Sequence, residues 1–194
     1  AVIALLTFVI TIVTAPQLYW GVLSGMLMAL SHFLYQRLHP RIIEVGLHPD
    51  GTLRDRRRWQ LPALAPDTLA LRMDAELDFA SAAAFERHVV EYLAEHPDTR
   101  RVCLIAQPIN RVDATGVEVF ARLLGQLQGR GIPLLVSGLK LPVEQTLRAA
   151  GLLTAADNSP RLYRCDAEVL AVLGVETIQP EYAAAPDSTP IENQ

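Results

Sequence analysis

The chain has 194 residues, of which 51% are hydrophobic and 20% are charged, and its formal net charge is −4. Its two cysteines and five histidines lack the spacing of a disulfide framework or a metal site, and it has no phosphate-binding Gly-x-x-x-x-Gly-Lys loop and no Gly-x-Ser-x-Gly elbow. We therefore expect neither an enzyme nor a bound metal or cofactor, and the short basic run at residues 56–58 does not predict nucleic-acid binding.

Residues 1–36 contain no Asp, Glu, Lys or Arg, and every charge of the chain follows them. An uncharged apolar run of this length indicates membrane-spanning helices. Residues 14–17, which include Pro16, interrupt the run, so we predict a transmembrane helical hairpin over residues 1–38. The first residue is not Met, and no basic segment precedes the run as a signal peptide requires. We expect the chain to begin inside a longer protein.

Small residues recur on one face of each predicted membrane helix. They are Thr7, Thr11 and Thr14 on the first helix and Gly21, Gly25 and Ala29 on the second. Ladders of small residues let two helices approach closely within a bilayer. The glycine ladder fits two arrangements, which are packing inside one helical bundle and a seam between two copies of the chain.

An arginine-rich flank follows the second helix. Residues 37–58 carry six arginines and three acidic residues. Positive charge next to a membrane span favours the cytoplasmic side, so we predict a multi-pass protein of the inner (plasma) membrane whose remaining chain is cytoplasmic. Binding of anionic lipid is a second interpretation of residues 56–58. We predict a basic juxtamembrane linker over residues 39–67, with an edge strand near residues 52–56.

Strands and helices alternate in the rest of the chain. Short apolar runs predict strands at residues 68–73, 101–107, 132–136 and 162–165. The apolar faces of the first two intervening helices are Phe85, Val89 and Leu93, then Val117, Phe120, Leu124 and Leu127. This alternation predicts an α/β domain over residues 68–178, with helices packed on a small mixed sheet. The polar, Pro-containing residues 179–194 predict a disordered tail.

Asp113, Thr115 and Gly116 lie at the start of the helix that follows the strand at residues 101–107. Backbone N–H groups and the positive end of the helix dipole converge at such a start and can hold an anion or a phosphorylated side chain. These three residues therefore form a candidate regulatory site. We predict that the Thr115 hydroxyl caps a helix beginning at Gly116, and the alternative is that Thr115 is a phosphorylation switch.

Residues 112–117, Val-Asp-Ala-Thr-Gly-Val, resemble the Asp-Ser-Ser/Thr-Gly signature of STAS domains. Residues 71–85 are similar to the opening strand and first helix of that family, and residues 131–140 are similar to its later strand and turn. Together with the membrane segment, the chain is similar to the C-terminal end of a SulP-type anion transporter. That end comprises the last two transmembrane helices and the STAS domain.

The resemblance implies a secondary anion transporter for substrates of the sulfate, bicarbonate or dicarboxylate class, with the STAS domain in a structural and regulatory role. It implies a homodimer that has the lipid bilayer, the missing transporter helices and a regulatory protein as partners. In anti-anti-sigma members of the STAS family, the residue at the position of Thr115 is phosphorylated. Glu76 and Asp78 fall where those members keep supporting acids.

Three positions depart from the family pattern. Ile105 lies eight residues before Asp113, where an Asp is common, and Ala114 replaces a hydroxyl residue. Ser81 stands where SulP members often have Asn. The changes at Ile105 and Ala114 remove polar groups that signalling members keep. The alternative function is a membrane-tethered STAS signalling protein of anti-anti-sigma type, which would bind a kinase or a sigma-regulator partner.

Overall fold

The computed structural model of the chain describes residues 2–13, 17–154 and 159–175. The helices in these ranges are α1 (Val2–Val13), α2 (Leu18–Leu38), α3 (Arg56–Trp59), α4 (Ala82–Glu95), α5 (Ala114–Gly129), α6 (Leu141–Ala149) and α7 (Asp166–Leu173). The strands are β1 (Ile42–Leu47), β2 (Leu53–Asp55), β3 (Thr68–Met73), β4 (Arg101–Ile105), β5 (Leu134–Ser137) and β6 (Arg161–Tyr163). Thr14 and the predicted tail at 179–194 lie outside the described residues.

The strands form one mixed sheet in the order β2-β1-β3-β4-β5-β6. Strands β3 to β6 are parallel to their neighbours, whereas β1 is antiparallel to both β2 and β3. The predicted α/β fold with a mixed sheet is therefore confirmed for the described residues. The strand expected near residues 52–56 is β2, and it lies at the edge of the sheet as predicted.

Strand β1 was missed by the sequence analysis, which assigned its residues to a juxtamembrane linker. It lies between β2 and β3 in the sheet, and its four central residues are buried. One of them is Glu44, whose charge interrupts the apolar pattern that marks a buried strand. The Glu44 carboxylate binds Arg56 Nη1 at 2.8 Å and Arg57 Nη2 at 2.9 Å, so two arginines of the predicted linker neutralise it.

The central strand β4 is buried on both faces, as its apolar run predicts. Val102 and Leu104 face one hydrophobic cluster, and Cys103 and Ile105 face a second cluster on the other side of the sheet. Helices α4, α5 and α6 contribute to the first cluster, and α7 contributes to the second. The domain therefore has helices on both sides of its sheet, with three of them on one side.

The helical faces follow the predicted spacing. Phe85, Val89 and Leu93 are buried on α4, and Phe120, Leu124 and Leu127 are buried on α5. Val117 is half-buried and packs against the same cluster. Residues three and four apart share one side of a helix, so these side chains all reach the core beneath the sheet.

Helices α1 and α2 pack against each other in an antiparallel pair. A Cβ atom at Gly21 would lie 2.1 Å from Thr11 Oγ1, and one at Gly25 would lie 2.7 Å from Thr7 Cγ2. These two glycines thus allow the close approach of the helices, whereas Ala29 is exposed. Within the ranges described above, none of the helices combines the length and apolar character that crossing a membrane requires.

Gly25→Leu should loosen the α1–α2 pair, because Thr7 leaves no room for the added side chain. We expect a lower midpoint of thermal unfolding for the purified chain in detergent, followed by circular dichroism. Ala29→Leu places the same side chain at an exposed position of the same helix and should leave the midpoint unchanged. Equal midpoints for the two variants would contradict this packing.

Candidate functional site

Two loops meet at the carboxyl ends of β3 and β4. Because these strands are parallel, the loops that follow them leave the sheet at the same edge. Leu77 in the first loop pairs with Val112 in the second as an isolated parallel bridge. The N–H of Leu77 donates to the carbonyl of Arg111 at 3.0 Å, and the N–H of Asp113 donates to the carbonyl of Leu77 at 3.2 Å. The two loops are thus joined by their backbones.

The Asp113 carboxylate links the starts of two helical segments. Its Oδ1 accepts a hydrogen bond of 2.8 Å from the N–H of Gly116, which makes Asp113 the N-cap of α5. Its Oδ2 accepts a hydrogen bond of 3.0 Å from the N–H of Phe79, in the loop that leads into α4. One side chain therefore caps α5 and holds the neighbouring loop against it.

The neighbouring loop lies so close to residue 116 that only glycine fits there. A Cβ atom at this position would lie 2.0 Å from the carbonyl oxygen of Leu77 and 3.2 Å from Val112 Cγ1. The carbonyl is backbone and is held by its hydrogen bond from Asp113. Any larger side chain at residue 116 would therefore push the two loops apart.

The predicted cap at Thr115 is wrong. The helix begins at Ala114, so Asp113 occupies the capping position and Thr115 is the second helical residue. An N-cap side chain reaches the N–H three residues ahead, which from Asp113 is that of Gly116. The Thr115 side chain is exposed, and its hydroxyl has no hydrogen bond to any residue that the structure describes. Among the described residues, the site thus leaves this hydroxyl exposed and unbonded.

The two candidate supporting acids differ in their surroundings. The Asp78 side chain is only 3% exposed, and its Oδ1 accepts hydrogen bonds of 3.1 Å from the N–H groups of Ala80 and Ser81. Glu76 is more exposed and lies 3.3 Å from an Arg111 guanidinium nitrogen. Arg37, from the last turn of α2, lies within ion-pair distance of both carboxylates. Asp78 is therefore part of the loop's internal structure, whereas Glu76 is at its surface.

Ser81 precedes α4, as predicted for an N-cap, but its hydroxyl does not cap the helix. The hydroxyl instead lies within hydrogen-bonding distance of the Glu76 carbonyl and of Asp78 Oδ1. The Asp78 carboxylate accepts from the N–H groups of Ala80 and Ser81, which precede the first residue of α4.

Sequence reasoning also missed an exposed aromatic side chain beside the site. Phe79 is 66% exposed, although the residues on either side of it are buried. Leu141, at the start of α6, is 65% exposed, and Lys140 Nζ contacts Asn110 Oδ1 across the adjoining loop. We call Phe79, Asn110, Thr115, Lys140 and Leu141 the carboxyl-end surface. The sequence signal for Phe79 was a large apolar residue in a loop, directly after the acidic Asp78 and outside any periodic pattern.

The arrangement is suited to presenting a hydroxyl group and a recognition surface. Burial, aided by the Asp166 carboxylate, raises the pKa of the Cys103 thiol to about 12, so this cysteine remains protonated at neutral pH. The described residues include no group of three His, Cys, Asp or Glu side chains placed to hold a metal ion. Each oxygen of the Asp113 carboxylate accepts a hydrogen bond from a backbone N–H group, which gives this side chain a structural role.

Gly116→Ala should destabilise the domain by about 1–3 kcal/mol, because the added methyl group overlaps the Leu77 carbonyl. Gly125→Ala is the matched control on the same helix, where a Cβ meets no atom within 4 Å. There the same change should stabilise the domain by about 0.5–1 kcal/mol. Urea unfolding measures both free energies, and a stabilising Gly116→Ala would disprove the close contact.

Comparison with known proteins gives the family. The STAS domain family matches residues 63–162, about half of the chain. A probable sulfate transporter of Mycobacterium tuberculosis is 27% identical over 137 residues, which are 70% of this chain and 24% of that protein. Probable sulfate transporter 4.2 of Arabidopsis thaliana is 24% identical over 157 residues, which are 73% of this chain and 23% of that protein. The chain spans about a quarter of the length of these relatives.

Solved structures share the fold. The murine Solute Carrier 26 family member A9 anion transporter, in its inward-facing state, matches with a TM-score of 0.72 at 13% identity, over 90% of this chain and 29% of that one. A sulfate transporter family protein from Wolinella succinogenes matches with a TM-score of 0.51 at 18% identity, over 62% of this chain and 96% of that one. The match over residues 63–162, together with the joined loops around Asp113 and Gly116, leads to one conclusion: the chain belongs to the STAS domain family.

Proposed function

We propose that this chain is the C-terminal portion of a SulP-type secondary anion transporter, with the STAS domain in a structural and regulatory role. The observation that carries the proposal is the extent of the likeness to the murine anion transporter. That likeness covers 90% of the chain, whereas the STAS family match covers only residues 63–162. It therefore reaches beyond the domain into the segment that holds α1 and α2.

The surface of α1 and α2 supports a membrane location for this pair. No residue of α1 is buried, and its apolar side chains, such as Phe8 and Ile12, are 63% and 60% exposed. On α2, Met26, Leu30 and Phe33 are each more than half exposed. A soluble monomer rarely exposes a continuous apolar surface of this size. Lipid and further transporter helices are the surroundings that would cover it.

The same proposal places the STAS domain in the cytoplasm of a multi-pass protein of the inner (plasma) membrane. The arginines of residues 37–58 support this orientation. In the folded chain most of them pair with acidic residues, for example Arg56 and Arg57 with Glu44. The orientation rule counts Lys and Arg near a span, and acidic residues contribute little to it, so these ion pairs do not weaken the support.

Sulfate is the substrate that the names of the relatives suggest, and the SulP resemblance adds bicarbonate and dicarboxylates. Transporters of this kind hold their anion near the bilayer midplane between broken helices. Neither α1 nor α2 contains such a break within its described residues. We therefore place the anion site in transporter helices outside this chain.

Sulfate uptake into proteoliposomes tests this function. We expect the intact protein that contains this chain to take up labelled sulfate, bicarbonate or a dicarboxylate with saturable kinetics. The 194-residue chain alone should give no more uptake than empty vesicles, because it lacks the anion site. Saturable uptake by the chain alone would contradict the placement of that site, and no anion uptake by the intact protein would contradict the function.

We also propose that the transporter is a homodimer, as the SulP resemblance implies. The ladder of Gly21 and Gly25 does not support a seam between two copies, because both glycines pack against α1 of their own chain. A dimer contact would have to use other surfaces. The carboxyl-end surface, with its exposed Phe79 and Leu141, offers a place for the regulatory protein to bind.

Thr115 is the residue through which we propose regulation. Its hydroxyl is exposed and has no hydrogen bond to the described residues, so a kinase could reach it. A phosphate there would add about −1.5 to −2 charges at the start of α5. The helix dipole favours this charge, but the Asp113 carboxylate already occupies the Gly116 N–H and would repel the phosphate. The modification would therefore strain the cap that joins the two loops.

Substitutions at Thr115 test whether a negative charge at this position regulates transport. Thr115→Glu should change sulfate uptake by the intact protein, whereas Thr115→Gln, which has the same shape without the charge, should not. Thr115→Ala should change the free energy of unfolding by less than about 0.5 kcal/mol, because the side chain is exposed and makes no cap. Equal uptake by the Glu and Gln variants at equal expression would rule out a charge switch. Loss of partner binding with unchanged uptake would favour the signalling alternative.

A further inference from the structure

Arg37 connects the helical pair to the STAS domain. It lies in the last turn of α2, and its Nη1 atom lies 3.4 Å from Asp78 Oδ2 and 3.7 Å from Glu76 Oε2. Asp78 is in the loop before α4, so the contact joins residues 41 positions apart in the chain (78 − 37). The shorter distance and the more buried partner both select Asp78 as the main acceptor.

The Asp78 carboxylate is buried where a nearby cation stabilises its charge. Its side chain is 3% exposed, and a buried carboxylate is costly unless it is hydrogen-bonded and paired with an opposite charge. The backbone N–H groups of Ala80 and Ser81 satisfy Oδ1, which leaves Oδ2 facing Arg37. Among the described residues, Arg37 is the only cation within 4 Å of this carboxylate.

The other arginines near the N-terminus of the domain serve different contacts. Arg41 pairs with Asp55 and Asp74, and its side chain is 54% exposed. Arg56 and Arg57 bind Glu44 of β1. The arginines of these pairs all follow α2 in the chain. Their acidic partners lie in the same segment or next to a strand of the sheet. In the described part of the chain, Arg37 alone carries an ionic contact from α2 itself to the domain.

Polar contacts continue from Asp78 to the start of α5. The next residue, Phe79, donates its N–H to Asp113 Oδ2, and Asp113 Oδ1 accepts from Gly116. In parallel, Glu76 pairs with Arg111, two residues before Asp113. The end of α2 and the segment that carries Thr115 are thus linked through one loop, residues 74–81 between β3 and α4.

We propose that the Arg37–Asp78 ion pair is a latch that fixes the direction of α2 relative to the STAS domain, so that the helical pair and the Thr115 segment move together. The latch rests on the proposed function only in taking α1 and α2 as the membrane part. A change at the start of α5 would reach α2 through this contact, and the loss of the contact would free the domain to change its orientation on the helical pair.

Pulsed electron paramagnetic resonance on the full 194-residue chain in phosphatidylcholine nanodiscs tests the latch. Nitroxide labels go on Ser31→Cys in α2 and Glu91→Cys in α4, both exposed, in a Cys165→Ser background. We expect one narrow distance distribution for this parent. Arg37→Gln, Asp78→Asn and the double variant should each broaden it to the same extent, because all three remove the same contact.

Three controls isolate the ion pair. Arg58→Gln removes the same charge from a residue whose side chain has no partner among the described residues, and it should keep the narrow distribution. Glu76→Gln should also keep it, because this carboxylate is farther from Arg37 and more exposed. Arg37→Lys keeps a cation and should retain most of the narrow population. Asp78→Asn keeps the oxygen that accepts from Ala80 and Ser81, so circular dichroism should report a folded α4.

A narrow distribution in Arg37→Gln would overturn the latch and leave Asp78 with only a capping role. Broadening in Arg37→Gln and Glu76→Gln, but not in Asp78→Asn, would overturn the assignment of Asp78 as the partner. If Asp78→Asn unfolds, Arg37→Gln still decides the question, because Arg37 is partly exposed at a helix end. The distances are measured without transport, so their outcome is separate from the uptake experiment on the intact protein.

Discussion

The Asp113 carboxylate holds together the part of this domain in which its chemistry is concentrated. With one oxygen on the N–H of Gly116 and the other on the N–H of Phe79, it satisfies donors from two loops that belong to different strands. The Leu77–Val112 bridge and the bare Cα of Gly116 allow the loops to come close enough for this. The Asp-x-Thr-Gly sequence therefore has a structural role, because it holds the two loops together. The Thr115 hydroxyl is exposed on the surface that results.

Internal ion pairs perform a second task, which is to attach the N-terminal segment to the sheet. The arginines of residues 37–58 are more than a basic flank, because five of them pair with acids: Arg37, Arg41, Arg54, Arg56 and Arg57. Two of the acids, Glu44 and Asp78, are buried, and a buried charge specifies its partner strongly because a wrong partner leaves it unpaired. Ion pairs thus add to the apolar contacts that hold the N-terminal segment on the sheet.

Much of the fold could be predicted because its strands and helices are locally consistent. The apolar run of β4 predicts a buried strand, and the spacing of Phe85, Val89 and Leu93 predicts the buried face of α4. Strand β1 could not be predicted, because the charge of Glu44 interrupts its apolar run. The arginines that neutralise this charge come later in the sequence, and no local pattern shows that they pair with it. At the site, the motif located Asp113 and Gly116. The choice of cap depends on the residue at which the helix begins, and helix ends are uncertain by about one or two residues. No local pattern indicates that Arg37 would reach Asp78.

The short connection between α2 and β1 has a mechanical consequence. Only residues 39–41 separate Leu38 from Ile42, and three residues span at most about 10–11 Å. Strand β1 then lies between β2 and β3, as the second of the six strands in the sheet. The sheet is thus joined to α2 by a short connection near one of its edges, beside β2. Any rotation of α2 that this connection transmits would therefore displace β6, at the opposite edge of the sheet, farther than it displaces β1.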